Sequence, residues 1–148
     1  MKALVLYGSK TGNTRLVANR LPGMLRFEAQ AVNVASLTNA DLLLSYDMTL
    51  FLASTWGDGE LQLDMELFMQ RTHIDLHGQP YAICELGNYY GYDDFEFGAL
   101  KIIQYHVELW NGREVVEPFS MDSLPHKDWK NLERWCEKLN AFAGATHG

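Results

Sequence analysis

The chain has 148 residues, 47% hydrophobic and 21% charged, enough to bury one continuous core without disulfides or a structural metal and unlike a disordered or fibrous sequence. Its formal net charge of -7 argues against nucleic acid as a partner, because phosphate binding needs a basic face, while a basic protein partner fits. No apolar run approaches the length needed to cross a bilayer.

Lys2 to Tyr7 is a near-continuous apolar run that leads straight into a Gly-Ser-Lys turn, which reads as a strand buried on both faces and not as a signal peptide. A helix is expected after Thr14, with Leu16, Val17 and Leu21 sharing a face and Pro22-Gly23 interrupting the pattern, so that the helix is short or distorted there. Strands are expected over Gln30 to Ala35 and Met48 to Ser54, then a helix over Asp64 to Arg71. A fourth strand fits Pro80 to Leu86, and a helix fits Glu96 to Trp110 with Leu100, Ile103 and Val107 at helical spacing. After the Asn111-Gly112 turn a short fifth strand is expected around Glu114 to Val116. The last helix, about Lys127 to Ala143, turns Leu132, Cys136 and Leu139 inward, flanked by Trp135 and Phe142.

Strands alternating with helices imply right-handed crossovers and a mainly parallel sheet covered on both faces, with no repeat and no linker. Cys84 and Cys136 lie in segments expected to be buried and have no metal-ligand spacing, so they read as reduced core thiols. His73 and His77 are four apart, but Gly78 and Pro80 argue against a helix through them, and no carboxylate completes a metal site. No catalytic group is expected: Ser9 lacks the Gly-x-Ser-x-Gly elbow of a hydrolase.

Three loops at the ends of successive strands carry the chemistry. The first, Ser9-Lys10-Thr11-Gly12-Asn13-Thr14, offers three hydroxyls and the amides of a helix start, a socket for a dianionic phosphate; an ordinary N-cap needs only one hydroxyl. The spacing is not that of a P-loop. In the second, Ser54-Thr55-Trp56-Gly57-Asp58-Gly59-Glu60-Leu61, Trp56 stands among Gly, Asp and Glu outside any apolar period and suits one face of a flat ring. Gly57 leaves the Gly57-Asp58 peptide able to rotate. The third, Gly87-Asn88-Tyr89-Tyr90-Gly91-Tyr92-Asp93-Asp94-Phe95, sets tyrosines among acids, again an exposed aromatic site.

Together these loops resemble those of flavodoxins: Thr/Ser-x-Thr-Gly-x-Thr around the phosphate, Thr55-Trp56-Gly57-Asp58 beside the ring, and a Gly-Asp-x-x-Gly-Tyr pattern from Gly87 to Tyr92. Asn88 departs from it, standing where many flavodoxins have Asp. The resemblance implies an α/β, flavodoxin-like, doubly wound five-stranded parallel sheet of order 2-1-3-4-5 with helices on both faces, forming a single domain over 1–148. Ligands of open α/β sheets bind where strand order reverses, a rule for which flavodoxins are themselves a standing example. It implies FMN as cofactor, with its phosphate on Ser9 to Thr14 and its ribityl chain on Thr55. The ring would lie between Trp56 and Tyr92, with Tyr90 the alternative in register and Ser54, Gly59, Gly87 and Phe95 completing the lining. A Gly57-Asp58 carbonyl turned toward the ring would accept a hydrogen bond from the nitrogen protonated on one-electron reduction.

The function that this resemblance implies is that of a low-potential one-electron carrier and not an enzyme: cytoplasmic, monomeric, taking electrons from a basic-faced reductase and passing them to a low-potential acceptor enzyme. Asp58, Glu60, Asp64, Asp93, Asp94 and Glu96 would ring the site and steer such partners. An FMN reductase using NAD(P)H and a quinone-type acceptor, or an FMN-binding accessory protein, are the alternatives. A receiver-type signalling domain would need acids after the first strand and a phosphorylatable Asp after the third, where this chain has Tyr7-Gly8-Ser9 and Ser54-Thr55-Trp56.

Overall fold

Ala3 to Leu6 are fully buried, as expected of an apolar run sandwiched between two layers of helices, and they form the middle of the first strand, β1 (Lys2–Tyr7). The computed structural model describes residues 1–9, 12–56, 60–87, 98–122 and 124–147, with the backbone alone at 56, 146 and 147. After β1 come α1 (Asn13–Arg20), β2 (Glu28–Asn33), β3 (Met48–Trp56), β4 (Glu60–Leu61), α2 (Leu63–Arg71), β5 (Pro80–Gly87) and α3 (Gly98–Leu109). The chain continues with β6 (Arg113–Glu114), β7 (Phe119–Asp122) and α4 (Trp129–His147).

The parallel sheet runs β2-β1-β3-β5, with β6 and then β7 pairing parallel to the far side of β5 and β4 turning back antiparallel on β3. This is the doubly wound order expected. Strand order reverses between β1 and β3, where Ala3 to Tyr7 pair with Met48 to Leu52.

Alternation along each strand sends side chains to two cores. Val5, Leu50, Cys84 and Met121 meet α1 and α4 through Val17, Leu21, Leu132 and Leu139 on one face. Leu4, Phe51 and Ile83 meet α2 and α3 through Met65, Met69, Ile103 and Val107 on the other. Each such fully buried side chain contributes about 1.5–3 kcal/mol. Cys84 and Cys136 are free and buried, and burial pushes the Cys136 thiol up to about 12. Trp135 is more deeply set than a flanking residue, with its indole N–H donating to the Glu117 carbonyl at 2.9 Å.

Several expectations are corrected. Leu16 is 51% exposed; the inward face of α1 is Thr14, Val17 and Ala18, continued by Leu21 as the chain tightens into a 3-10 turn over Leu21–Met24 where Pro22 enters. The second strand lies two residues earlier than Gln30 to Ala35, because the Asn33 side chain accepts the Ala35 N–H at 3.0 Å and turns the chain out of the sheet. The third strand extends past Ser54 to Trp56 by pairing with Glu60 and Leu61, so Thr55 and Trp56 are strand residues and not loop residues. The fifth strand is not Glu114 to Val116 but two pieces, β6 and β7, on either side of Pro118, which has no N–H for the ladder. As expected, no helix runs through His73 and His77, and His77 turns with φ 50°.

Candidate functional site

The carboxyl ends of the parallel strands share one edge of the sheet. Tyr7 lies beside Asn33 on one side and Leu52 on the other; β3 continues from Leu52 to Trp56; Gly87 ends β5 opposite Asp122. The three loops singled out in the sequence leave from this edge, two of them flanking the reversal between β1 and β3.

The Gly8 N–H still donates to the Leu52 carbonyl at 3.1 Å before the first loop departs. A Cβ on Gly8 would run into Gln62 Oε1 and crowd Met65, so a side chain here would push Gln62 aside. Gln62 is buried there and caps α2, its Oε1 accepting the Met65 N–H at 3.1 Å. Ser9 Oγ accepts the Gly12 N–H at 3.2 Å, which leaves the Ser9 proton to be donated elsewhere. Gly12 then turns with φ 98°, a conformation strained for any other residue, and its carbonyl accepts the Leu16 N–H at 2.8 Å. The N-cap of α1 makes no side-chain hydrogen bond and no acid stands in the first turn, so the helix's own first turn leaves the positive end of its dipole uncompensated at this edge. Asn13 is exposed and Thr14 buried in that turn. These features suit a phosphate held at a helix N-terminus by amides and hydroxyls.

At the second loop, Ser54 and Thr55 are half-buried, and the Gln62 N–H donates to the Ser54 carbonyl at 3.0 Å. Trp56 pairs with Glu60, which fixes its backbone at the edge. Lys10, Thr11, Gly57, Asp58, Gly59, Asn88, Tyr90, Tyr92 and Phe95 lie outside the described residues, as does the Trp56 side chain and the acids Asp93, Asp94 and Glu96. The site residues that are described, Ser9, Gly12, Asn13, Thr14, Ser54, Thr55, Trp56 and Gly87, all come to the one edge, where Glu60 is exposed and Asp64 half-exposed.

Sequence reasoning passed over Gly8, Gln62 and, above all, Glu85. Glu85 is 0% exposed near the carboxyl end of β5. Its Oε2 accepts the Leu100 N–H at 2.9 Å and the Thr55 hydroxyl at 3.3 Å, and its Oε1 accepts the Ser120 hydroxyl at 3.4 Å. Thr55 Oγ1 in turn accepts the Ala99 N–H at 3.2 Å. Burial raises the Glu85 pKa against the opposing pull of the Leu100 amide and the two hydroxyls. The ion pairs found among the described residues, His77 with Asp75 and Lys138 with Glu117, lie elsewhere. The signal for Glu85 was present: one carboxylate inside the apolar run Ile83-Cys84-Glu85-Leu86, a position that requires partners.

A cleft of about 610 Å³ between α2 and the segment after β2, lined by Asn39, Asp41, Phe68, Arg71 and His73 among others, contains none of the cofactor-binding residues expected from the sequence. Among the described residues no group of three His, Cys, Asp or Glu side chains could hold a metal, and no helix is long and apolar enough to cross a membrane.

Sheet order and edge chemistry define an open α/β protein whose edge, where strand order reverses, is suited to a phosphorylated ligand. The sequence model of the flavodoxin family matches residues 5–135. A flavodoxin of Maridesulfovibrio salexigens is 28% identical over 135 residues, covering 86% of this chain and 90% of that one. Among solved structures, the flavodoxin of Streptococcus pneumoniae TIGR4 superposes with a TM-score of 0.81 at 25% identity, covering 95% of this chain and 99% of that one. Oxidised flavodoxin 2 of Bacillus cereus does so with a TM-score of 0.77 at 28% identity, covering 98% and 97%. The chain belongs to the flavodoxin family, whose members bind FMN and transfer electrons to and from redox proteins without acting as enzymes.

Proposed function

We propose that this chain, a single domain over 1–148, serves as a low-potential one-electron carrier in the cytoplasm, a monomer loaded by a basic-faced reductase and discharged by a low-potential acceptor enzyme. The observation that carries this reading is the convergence of Ser9, the Gly12–Thr14 start of α1, the Thr55-Trp56 strand end and Gly87 on the edge where strand order reverses. When bound there, FMN supplies a ring that takes up one electron at a time.

The residues present fit that group. Ser9 Oγ, with its proton available, and the amides of the first turn of α1 would hold the phosphate, with Lys10, Thr11, Gly12, Asn13 and Thr14 as its further contacts. Ser54 and Thr55 would hold the ribityl chain. Trp56 and Tyr92, or Tyr90 in the alternative register, would cover the ring, with Gly57, Asp58, Gly59, Gly87, Asn88 and Phe95 around it.

The rim acids would raise the energy of an anionic ring. One carboxylate about 10 Å away at an effective dielectric of about 20 contributes about 1.7 kcal/mol, or about 70 mV for one electron. Several acting together produce a low potential, and the same charges attract a basic partner.

Binding of FMN and riboflavin, followed by quenching of flavin fluorescence, tests the reading. FMN is expected to bind at least about tenfold more tightly, the contribution of charge-assisted bonds to phosphate. Equal affinities would remove the phosphate from the first loop. Electron transfer from a reductase should slow as salt is added, and a rate independent of salt would remove the steering role of the acids.

A further inference from the structure

Glu85 belongs to β5, but its partners belong to three other elements. Oε2 holds the Thr55 hydroxyl at the end of β3 and the Leu100 amide in the first turn of α3, and Oε1 takes the Ser120 hydroxyl from β7. Thr55 closes the arrangement by accepting the Ala99 amide. The hydroxyl of Thr55 is therefore oriented on both sides: its proton is committed to the carboxylate and one lone pair to α3. A short side chain at position 85 would leave Leu100 N–H and the Thr55 proton buried without this acceptor.

We propose that Glu85 is a positioning residue for the cofactor edge: its carboxyl clamps Thr55, and with it the strand end that carries Trp56, to the first turn of α3. The proposal rests on the assignment of Thr55 and Trp56 to the ribityl chain and ring. It goes beyond that assignment by giving a buried residue outside the three loop motifs control over how the second loop is presented. Its acceptor function does not need the charge. In Glu85→Gln the amide oxygen can take the place of Oε2 and accept both Leu100 N–H and the Thr55 hydroxyl, while the amide NH2 donates to Ser120, whose hydroxyl accepts as readily as it donates.

The test compares wild type, Glu85→Ala, Glu85→Asp and Glu85→Gln for binding of FMN and of riboflavin, together with the visible circular dichroism of the bound flavin. Glu85→Ala should weaken both ligands by the same factor, about tenfold or more, because the phosphate turn on α1 is untouched. Glu85→Asp, which keeps the charge but withdraws it by one methylene, should do the same and replaces Glu85→Ala if the latter does not fold. Glu85→Gln should bind within about threefold of wild type and restore the dichroism. Gln79→Ala, which removes a buried clamp at the opposite end of β5, serves as a destabilised control with unchanged binding. Wild type that binds while Glu85→Ala or Glu85→Asp binds equally well overturns the inference and leaves the cofactor reading standing. Wild type that binds neither flavin overturns both. A Glu85→Gln protein as impaired as Glu85→Ala also overturns the clamp as stated.

Discussion

At the amino end of β5 the buried polar side chain is Gln79, neutral and fully engaged. Its Nε2 donates to the carbonyls of Leu43 at 2.6 Å and Tyr46 at 2.9 Å, and its Oε1 accepts the Thr49 hydroxyl at 2.9 Å. At the carboxyl end stands Glu85, deeper still and equally well partnered, yet ionisable and held against burial by one amide and two hydroxyls. Gln79 ties the segment before β3 to the sheet and carries no charge to desolvate. Glu85 does comparable bracing with a group whose ionised form is disfavoured where it sits. The costly choice falls at the edge where the loops converge, as expected if local stability yields to the needs of a site.

Gln79→Ala should break the amino end most severely. Two carbonyls and a hydroxyl lose their partner in a buried setting, for an expected loss of about 3 kcal/mol in a denaturant titration with FMN affinity unchanged. If FMN binding weakened in proportion to stability, the separation between the two ends would be wrong. Gly8→Ala brings the effect to the other edge. The added methyl displaces Gln62 from its cap on α2, costing about 1–2 kcal/mol and weakening FMN measurably; a neutral substitution would show that the crowding at Gln62 relaxes freely.

Ser9→Ala should leave stability nearly unchanged while lowering FMN affinity by about tenfold and riboflavin affinity hardly at all. The smallest effect is one of pH. The pKa of Glu85 is raised in the fold, so between the usual carboxylate value of 4.5 and that raised value the native state binds more protons than the unfolded one. This contribution to stability is present below 4.5 and is lost as pH rises through the folded pKa. Glu85→Gln should lack that slope while other carboxylates keep theirs; identical pH profiles for the two proteins would place the titration elsewhere.

The central strands were legible because they are apolar on both faces, and the first loop because hydroxyls around a glycine at the end of such a strand have few other uses. β7 was missed although Phe119, Ser120, Met121 and Asp122 alternate as a strand should, because Glu117 and Pro118 part it from Val116 and the pattern is only four residues long. Leu16 was misplaced because apolar character alone did not reveal that Thr14 and Ala18, not Leu16, continue the buried face of α1. The Glu85 network was illegible for a different reason. Its partners stand 15, 30 and 35 residues away in sequence, and only the closed sheet brings them together.

The most direct test of the cofactor edge is a stepwise reduction of the purified protein with FMN, followed by its absorption spectrum. The account predicts one FMN per chain and two separate one-electron stages. A colourless protein that refuses FMN at micromolar concentration, or a single two-electron stage, would contradict it.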